Sequence, residues 1–229
     1  MTASPAAAGW AVVVPVKDPA RGKSRLSVDG VDRATLARAI ALDTVAAVAV
    51  CDEVARVIVV TDDAALPAHA GDIPGVRWVD ETFARERAAA DAVAGRPGAG
   101  IAPAGLDGAI ALGIATAGEG MPRAALLGDL PALRADDLGA ALRAAASRDR
   151  AVVADGEGTG STLVTAAPGV AWRSSFGDGS FARHVALGCT ALAVEPDSTL
   201  RRDVDTAAQL RAALALGVGP RTAALLARP

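Results

Sequence analysis

Ala124-Ala125-Leu126-Leu127-Gly128-Asp129-Leu130-Pro131-Ala132-Leu133 opens with a short apolar run and breaks off at Gly128-Asp129. A run of this kind fits a strand buried on both faces. Pro131 has no N–H to donate, so a sheet ladder cannot continue through it. Asp129 then sits at the C-terminal lip of a buried strand, where open α/β sheets bind their ligands. Its carboxylate reads two ways: a ligand for a divalent metal, or a cap on a helical turn beginning near Leu133.

Working outward, Trp10 to Val16 is a β-branched, buried first strand, and Arg33 to Val50 has helical periodicity. Val54 to Thr61 and the weaker Val76 to Asp80 are further strands. Ala94 to Gly105 is a Gly/Pro/Ala loop, Leu106 to Ala117 a helix, and Asp136 to Ser147 another. Arg150 to Ala154 is a strand, Thr162 to Ala166 one more, Phe181 to Leu187 a short helix and Leu192 to Val194 a final strand. Thr206 to Leu216 is a helix, with Asp205 or Thr206 capping it and Gly217 ending it. Strands alternating with helices predict an α/β fold: a doubly wound, mostly parallel central sheet with helices on both faces, three layers in all. There is no internal repeat and no linker between large units, so 1–229 is expected to be one domain.

The composition agrees. With 229 residues the chain can bury one sizeable core. Tyr is absent and other aromatics are scarce, so Val, Leu, Ile and Ala must build that core. A net charge of -3 with no basic block argues against a nucleic-acid surface. The two cysteines, Cys51 and Cys189, are far apart and read as buried thiols, not a disulfide framework. No run is apolar enough to span a bilayer, and Met1 to Gly9 lacks a basic leader segment, so a cytoplasmic protein is expected.

Three groups of residues carry chemistry. Lys17, Arg21, Lys23 and Arg25 fill the loop after the first strand. Cations and backbone N–H groups at that position suit a polyphosphate, against the alternative of a solvated basic loop. Neither GxxxxGK[ST] nor GxGxxG is present there, so the P-loop and dinucleotide readings lose support. Asp203-Val204-Asp205-Thr206 sets two carboxylates two apart, on one side of an extended segment. With Asp129 they supply the oxygen ligands magnesium favours; otherwise Asp205 is only a helix cap. Gly158-Thr159-Gly160-Ser161-Thr162 and Phe176-Gly177-Asp178-Gly179-Ser180 suit a small anion, or are ordinary turns. His184 reads as a packed histidine more readily than as an anion contact, and Trp10, Trp78 and Trp172 as packing residues. No GxSxG elbow, Cys/His pair or HExxH appears, so the set favours nucleotidyl transfer over hydrolysis.

The order of these blocks resembles the guanylyltransferases of coenzyme F-420 biosynthesis. Val14-Pro15-Val16-Lys17, Lys23-Ser24-Arg25-Leu26, Gly128-Asp129-Leu130-Pro131-Ala132-Leu133 and Gly158-Thr159-Gly160-Ser161 carry the first part of the resemblance. Phe176-Gly177 with Ser180, Ala182-Arg183-His184, Asp203-Val204-Asp205-Thr206 and Leu216-Gly217-Val218-Gly219-Pro220 carry the rest. The resemblance implies a Rossmann-like nucleotidyltransferase fold shared with sugar-nucleotide pyrophosphorylases, with a nucleotide half over about 9–128 and an acid and metal half over about 129–219. It implies GTP and phosphoenolpyruvate as substrates, with 2-phospho-L-lactate or 3-phosphoglycerate as alternative acids. It also implies Mg2+ on Asp129, Asp203 and Asp205, and phosphoenolpyruvate on Ser161, Gly177 and Ser180. Lys17, Lys23 and Arg25 would meet the nucleotide phosphates. Asp107 falls where the family often has Asn, and would accept from the guanine N1–H and N2–H while lacking an amide donor. The product is expected to be labile, which suggests hand-off to the downstream transferase of the pathway. A cytidylyltransferase or sugar-phosphate nucleotidyltransferase would share the fold, and a non-catalytic nucleotide-binding regulator would keep the cationic loop without needing the acidic pair.

Overall fold

The computed structural model describes residues 9–19, 26–94 and 105–227. The strands are β1 (Trp10–Val16), β2 (Val54–Thr61), β3 (Val76–Asp80), β4 (Arg123–Leu126), β5 (Arg150–Ala154), β6 (Ser161–Ala166) and β7 (Thr190–Ala191). The helices are α1 (Arg33–Ala49), α2 (Glu81–Val93), α3 (Gly105–Ala117), α4 (Ala135–Ala145), α5 (Ser180–Ala186), α6 (Ala207–Leu216) and α7 (Pro220–Leu226). One seven-stranded sheet runs in the order β3-β2-β1-β4-β6-β5-β7. Strand β6 is antiparallel to both its neighbours, and the other pairings are parallel. The expected mostly parallel α/β sheet is therefore what the chain forms.

Alternation along β1 explains the layers. Val12, Val14 and Val16 turn to one face, where they meet Ala41, Leu42 and Val45 of α1 and Leu138 and Leu142 of α4. Ala11 and Val13 turn to the other, against Ala109, Ile110 and Ile114 of α3. Such two-sided burial is what a continuous apolar strand requires, and each fully buried Val or Leu contributes roughly 1.5–3 kcal/mol. Burying β4 brings Arg123 in with it; its guanidinium donates to the carbonyls of Ala167 (3.1 Å) and Val170 (2.6 Å).

Three elements differ from the sequence expectation. The last strand is Thr190–Ala191, not Leu192 to Val194, because it is set by two parallel pairings with β5. Helix α2 fills a stretch the periodicity left unassigned; its first turn is capped by Asp80, which accepts from the Phe83 N–H at 2.9 Å. Helix α7 follows Gly219 with Pro220 in its first turn and closes over α1.

Candidate active site

The sheet topology gathers the site. β1, β4 and β5 all end at one sheet edge, delivering Lys17, Gly128-Asp129 and Asp155 there. β6 runs the other way, so its first residue, Ser161, lies at that same edge; the Leu127 N–H donates to the Thr162 carbonyl at 3.0 Å. Gly128 is required by close approach: a Cβ there would sit 2.9 Å from the Pro15 carbonyl oxygen of β1. The chain after Leu200 is then pinned across the lip, since the Val204 N–H donates to the Asp129 carbonyl at 3.0 Å. Asp203 and Asp205 are thus brought beside Asp129.

A cavity of about 460 Å3 opens at this edge. Lys17, Asp129, Asp155, Ser161, Gly177, Ser180, Asp203 and Asp205 line it, together with Pro15, Leu106 and Phe176. Of the residues singled out from sequence, Lys17, Asp129, Ser161, Gly177, Ser180, Asp203 and Asp205 therefore share one cavity. Arg21, Lys23 and Arg25 lie outside the described residues. Neither Asp129 nor Asp205 is the N-cap of the helix that follows it. α4 has Arg134 at its N-cap position with no side-chain cap, and α6 is capped by Thr206 in a reciprocal box with Gln209.

The acidic cluster is larger than the sequence reading made it. Asp155 follows β5 as Asp129 follows β4, and its two carboxylate oxygens accept from the N–H groups of Thr159 (2.9 Å) and Gly160 (2.7 Å). Ligand oxygens of Asp155, Glu157 and Asp203 lie within 4.8 Å of one another. Burial, reinforced by Asp129, Asp155, Asp205 and Glu157, pushes the Asp203 carboxyl from 3.8 up to about 8. Clustered carboxylate oxygens of this kind match a hard divalent cation, which would relieve their mutual repulsion.

The same cavity is lined by a braced loop around Gly177. Gly177 adopts φ 110°, a conformation L side chains rarely take. On one side Asp107 accepts from Ser174 Oγ (2.7 Å) and the Phe176 N–H (3.1 Å). The Asp107 side chain is thereby committed to this loop and is not among the residues lining the cavity. On the other side Arg183 donates to the carbonyls of Ser175 and Phe176. His184 is fully buried beneath; its ring bonds Ser161 Oγ through Nδ1 (2.9 Å) and the Ser175 N–H through Nε2 (2.9 Å). Burial lowers its pKa from 6.5 to about 4, Asp107 opposing and Arg183 adding to the shift. The packed-histidine reading holds, but the ring also makes two site hydrogen bonds.

Lys17 Nζ donates to both oxygens of Glu81, at 2.7 and 2.6 Å, and Arg85 donates to the same carboxylate at 2.9 Å. Glu81 was not singled out from sequence. Its place at the start of α2, itself unassigned from periodicity, left no local signal.

No family model matches the chain. Nearly all of the chain nonetheless aligns with curated relatives. A phosphoenolpyruvate guanylyltransferase of Thermomonospora curvata is 47% identical over 223 residues, covering 96% of this chain and 89% of that protein. One of Streptomyces coelicolor is also 47% identical over 223 residues, covering 96% of each. Among solved structures, a nucleotidyl transferase from Methanothermobacter thermautotroptrophicus superposes with a TM-score of 0.56 at 17% identity, over 91% of this chain and 97% of that one. A 4-diphosphocytidyl-2C-methyl-D-erythritol synthase gives 0.50 at 12% identity, over 92% and 99%. These two show the fold, which is that of the nucleotidyltransferases. The identity to the curated relatives shows the rest: the chain belongs to the phosphoenolpyruvate guanylyltransferase family.

Proposed function

We propose that the protein transfers GMP from GTP to the phosphate of phosphoenolpyruvate, giving enolpyruvyl-2-diphospho-5'-guanosine and pyrophosphate, within coenzyme F-420 biosynthesis. The supporting observation is the shared cavity, which Asp129, Asp203 and Asp205 line together with Ser161, Gly177 and Ser180. Residues 9–128 form the nucleotide half and 129–219 the acid and metal half. The free thiols Cys51 and Cys189 are both buried, and no helix among the described residues is long and apolar enough to cross a membrane. Both observations accord with a cytoplasmic setting.

An oxygen of the acid's phosphate attacks the α-phosphorus of GTP in line. The bond from that phosphorus to the bridging oxygen of the β-phosphate breaks, and pyrophosphate leaves with the electron pair. A phosphate monoester has a second pKa of about 6, so it is already largely dianionic at neutral pH and needs no general base. Asp129, Asp203 and Asp205 would hold Mg2+, with Asp155 and Glu157 beside Asp203. When bound, the cation supplies charge neutralisation at the reacting phosphates. Ser161, Gly177 and Ser180 seat the acid. Lys17, with Lys23 and Arg25, meets the negative charge that grows on the departing pyrophosphate. Asp107, although it falls in the nucleotide half of the sequence, holds the loop that carries Gly177.

The test is pyrophosphate release from GTP, ATP or CTP with phosphoenolpyruvate, 2-phospho-L-lactate or 3-phosphoglycerate. Release from GTP with phosphoenolpyruvate as the best acid is expected. Release with no acid in the set would point instead to another acceptor or a nucleotide-binding regulator.

A further inference from the structure

We infer that His184 is a positioning residue that makes Ser161 a hydrogen-bond donor to the anionic substrate. The argument begins with a donor whose direction is fixed. The backbone N–H of Ser175 can only donate, so the Nε2 it meets at 2.9 Å must be an acceptor. In a neutral imidazole the other nitrogen then carries the proton. Nδ1–H therefore donates to Ser161 Oγ across 2.9 Å. Ser161 has one O–H and two lone pairs, and the imidazole takes a lone pair. Its own proton is left to point into the cavity, which Ser161 lines. With the opposite tautomer the hydroxyl proton would be spent on His184, and only lone pairs would face an anion.

The surroundings hold this arrangement. The ring is fully buried, and Phe176 meets it edge-on with ring centroids 4.8 Å apart. Burial keeps the imidazole neutral near pH 7, against Asp107, the acidic neighbour that favours the charged form. The same tautomer rules His184 out as a base for Ser161, so the pair is not an activated nucleophile. The histidine also ties the first residue of β6 to the loop bearing Gly177, so both acid-contacting segments are set by one ring. This inference rests on the functional reading above for the identity of the anion, but not for the tautomer.

The experiment uses the full chain in a His69→Gln background, which leaves one histidine. Long-range 1H–15N correlation of ring-labelled protein is expected to show the neutral Nδ1–H form, unchanged between about pH 6 and 8. Ser161→Ala and His184→Leu should each raise KM for phosphoenolpyruvate about tenfold with KM for GTP little changed, the scale of one hydrogen bond to a charged group. The double variant should be no worse than the poorer single. His184→Asn, whose amide nitrogen can take the place of Nδ1, should recover most of the loss. An Nε2–H ring, an imidazolium in that pH range, multiplicative losses, or Asn as damaging as Leu would each overturn the inference. If His184→Leu fails to fold, the spectrum and the Asn variant still decide. If the wild type releases no pyrophosphate with any of the three acids, the functional reading fails while the spectrum still decides the tautomer.

Discussion

The ammonium of Lys17 and the carboxylate of Glu81 form a close two-oxygen contact, although 64 residues separate them in sequence. Lys17 leaves the end of β1, and Glu81 opens α2 after β3, two strands away. Glu81 is buried, with its side chain 6% exposed, while Lys17 keeps 30% exposure. The carboxylate thus holds a cation that lines the cavity. Lys17→Met should lower kcat/KM for GTP by about 100-fold, the scale of one well-placed charged donor at a developing anion. Glu81→Gln should lower it about tenfold, because the ammonium stays but loses its fixed seat. Steady-state kinetics with varied GTP decides; wild-type values in Lys17→Met would exclude a nucleotide role for that residue.

Chelation is the second test. Burial, then the carboxylates of Asp129, Asp155, Asp205 and Glu157, disfavour the charged form of Asp203. Adding Mg2+ to chelator-treated protein should raise Tm by several degrees, since a ligand bound only by the native state stabilises it. Asp203→Asn should raise Tm of the metal-free protein, shrink the Mg2+-dependent gain and abolish turnover. Equal Mg2+ shifts in the variant and the wild type, followed by thermal denaturation, would place the cation elsewhere.

Much of this arrangement could be read from the residues, and the failures have physical causes. β-branched apolar runs marked β1 and β2, and the strand-end position marked Asp129. The same rule, applied to Asp155 at the end of β5, would have found another member of the acidic cluster. Strand periodicity carries no direction, so nothing foretold that β6 would run antiparallel and bring Ser161 to the Asp129 edge. Helix α7 escaped because its cap is remote. Asp43, buried in α1, accepts from the N–H groups of Arg221 (3.1 Å) and Thr222 (2.8 Å), and no side chain of Gly219 exists to do so.

That remote cap is itself testable. Asp43→Ala should destabilise the protein by about 2 kcal/mol, since it leaves two helix-terminal donors without their acceptor. Amide exchange over 220–226 should quicken, while turnover stays close to wild type. Chemical denaturation and hydrogen exchange measure the two effects. Unchanged protection in α7 would mean that its apolar contacts alone hold it.

Acid should expose the cost of a buried neutral histidine. His184 has a folded pKa of about 4 against an ordinary 6.5, so the unfolded chain binds the proton more readily. The stability it contributes is present above about pH 6.5 and is lost as pH falls through 6.5 toward 4, up to about 3 kcal/mol. His184→Asn should remove that part of the acid dependence in denaturant titrations at pH 4.5 and 7. A variant whose stability falls as steeply as the wild type between those pH values would contradict the assignment.

The most direct measurement is pyrophosphate release by Asp129→Asn with GTP, phosphoenolpyruvate and Mg2+, set beside its thermal denaturation. Asn keeps the shape of the side chain, and the Asp129 carbonyl that receives the Val204 N–H is untouched. The account predicts a native-like transition with turnover reduced by about a thousandfold or more, as expected when charge stabilisation at the reacting phosphates is lost. Turnover within a few-fold of wild type would contradict the placement of the reaction at Asp129.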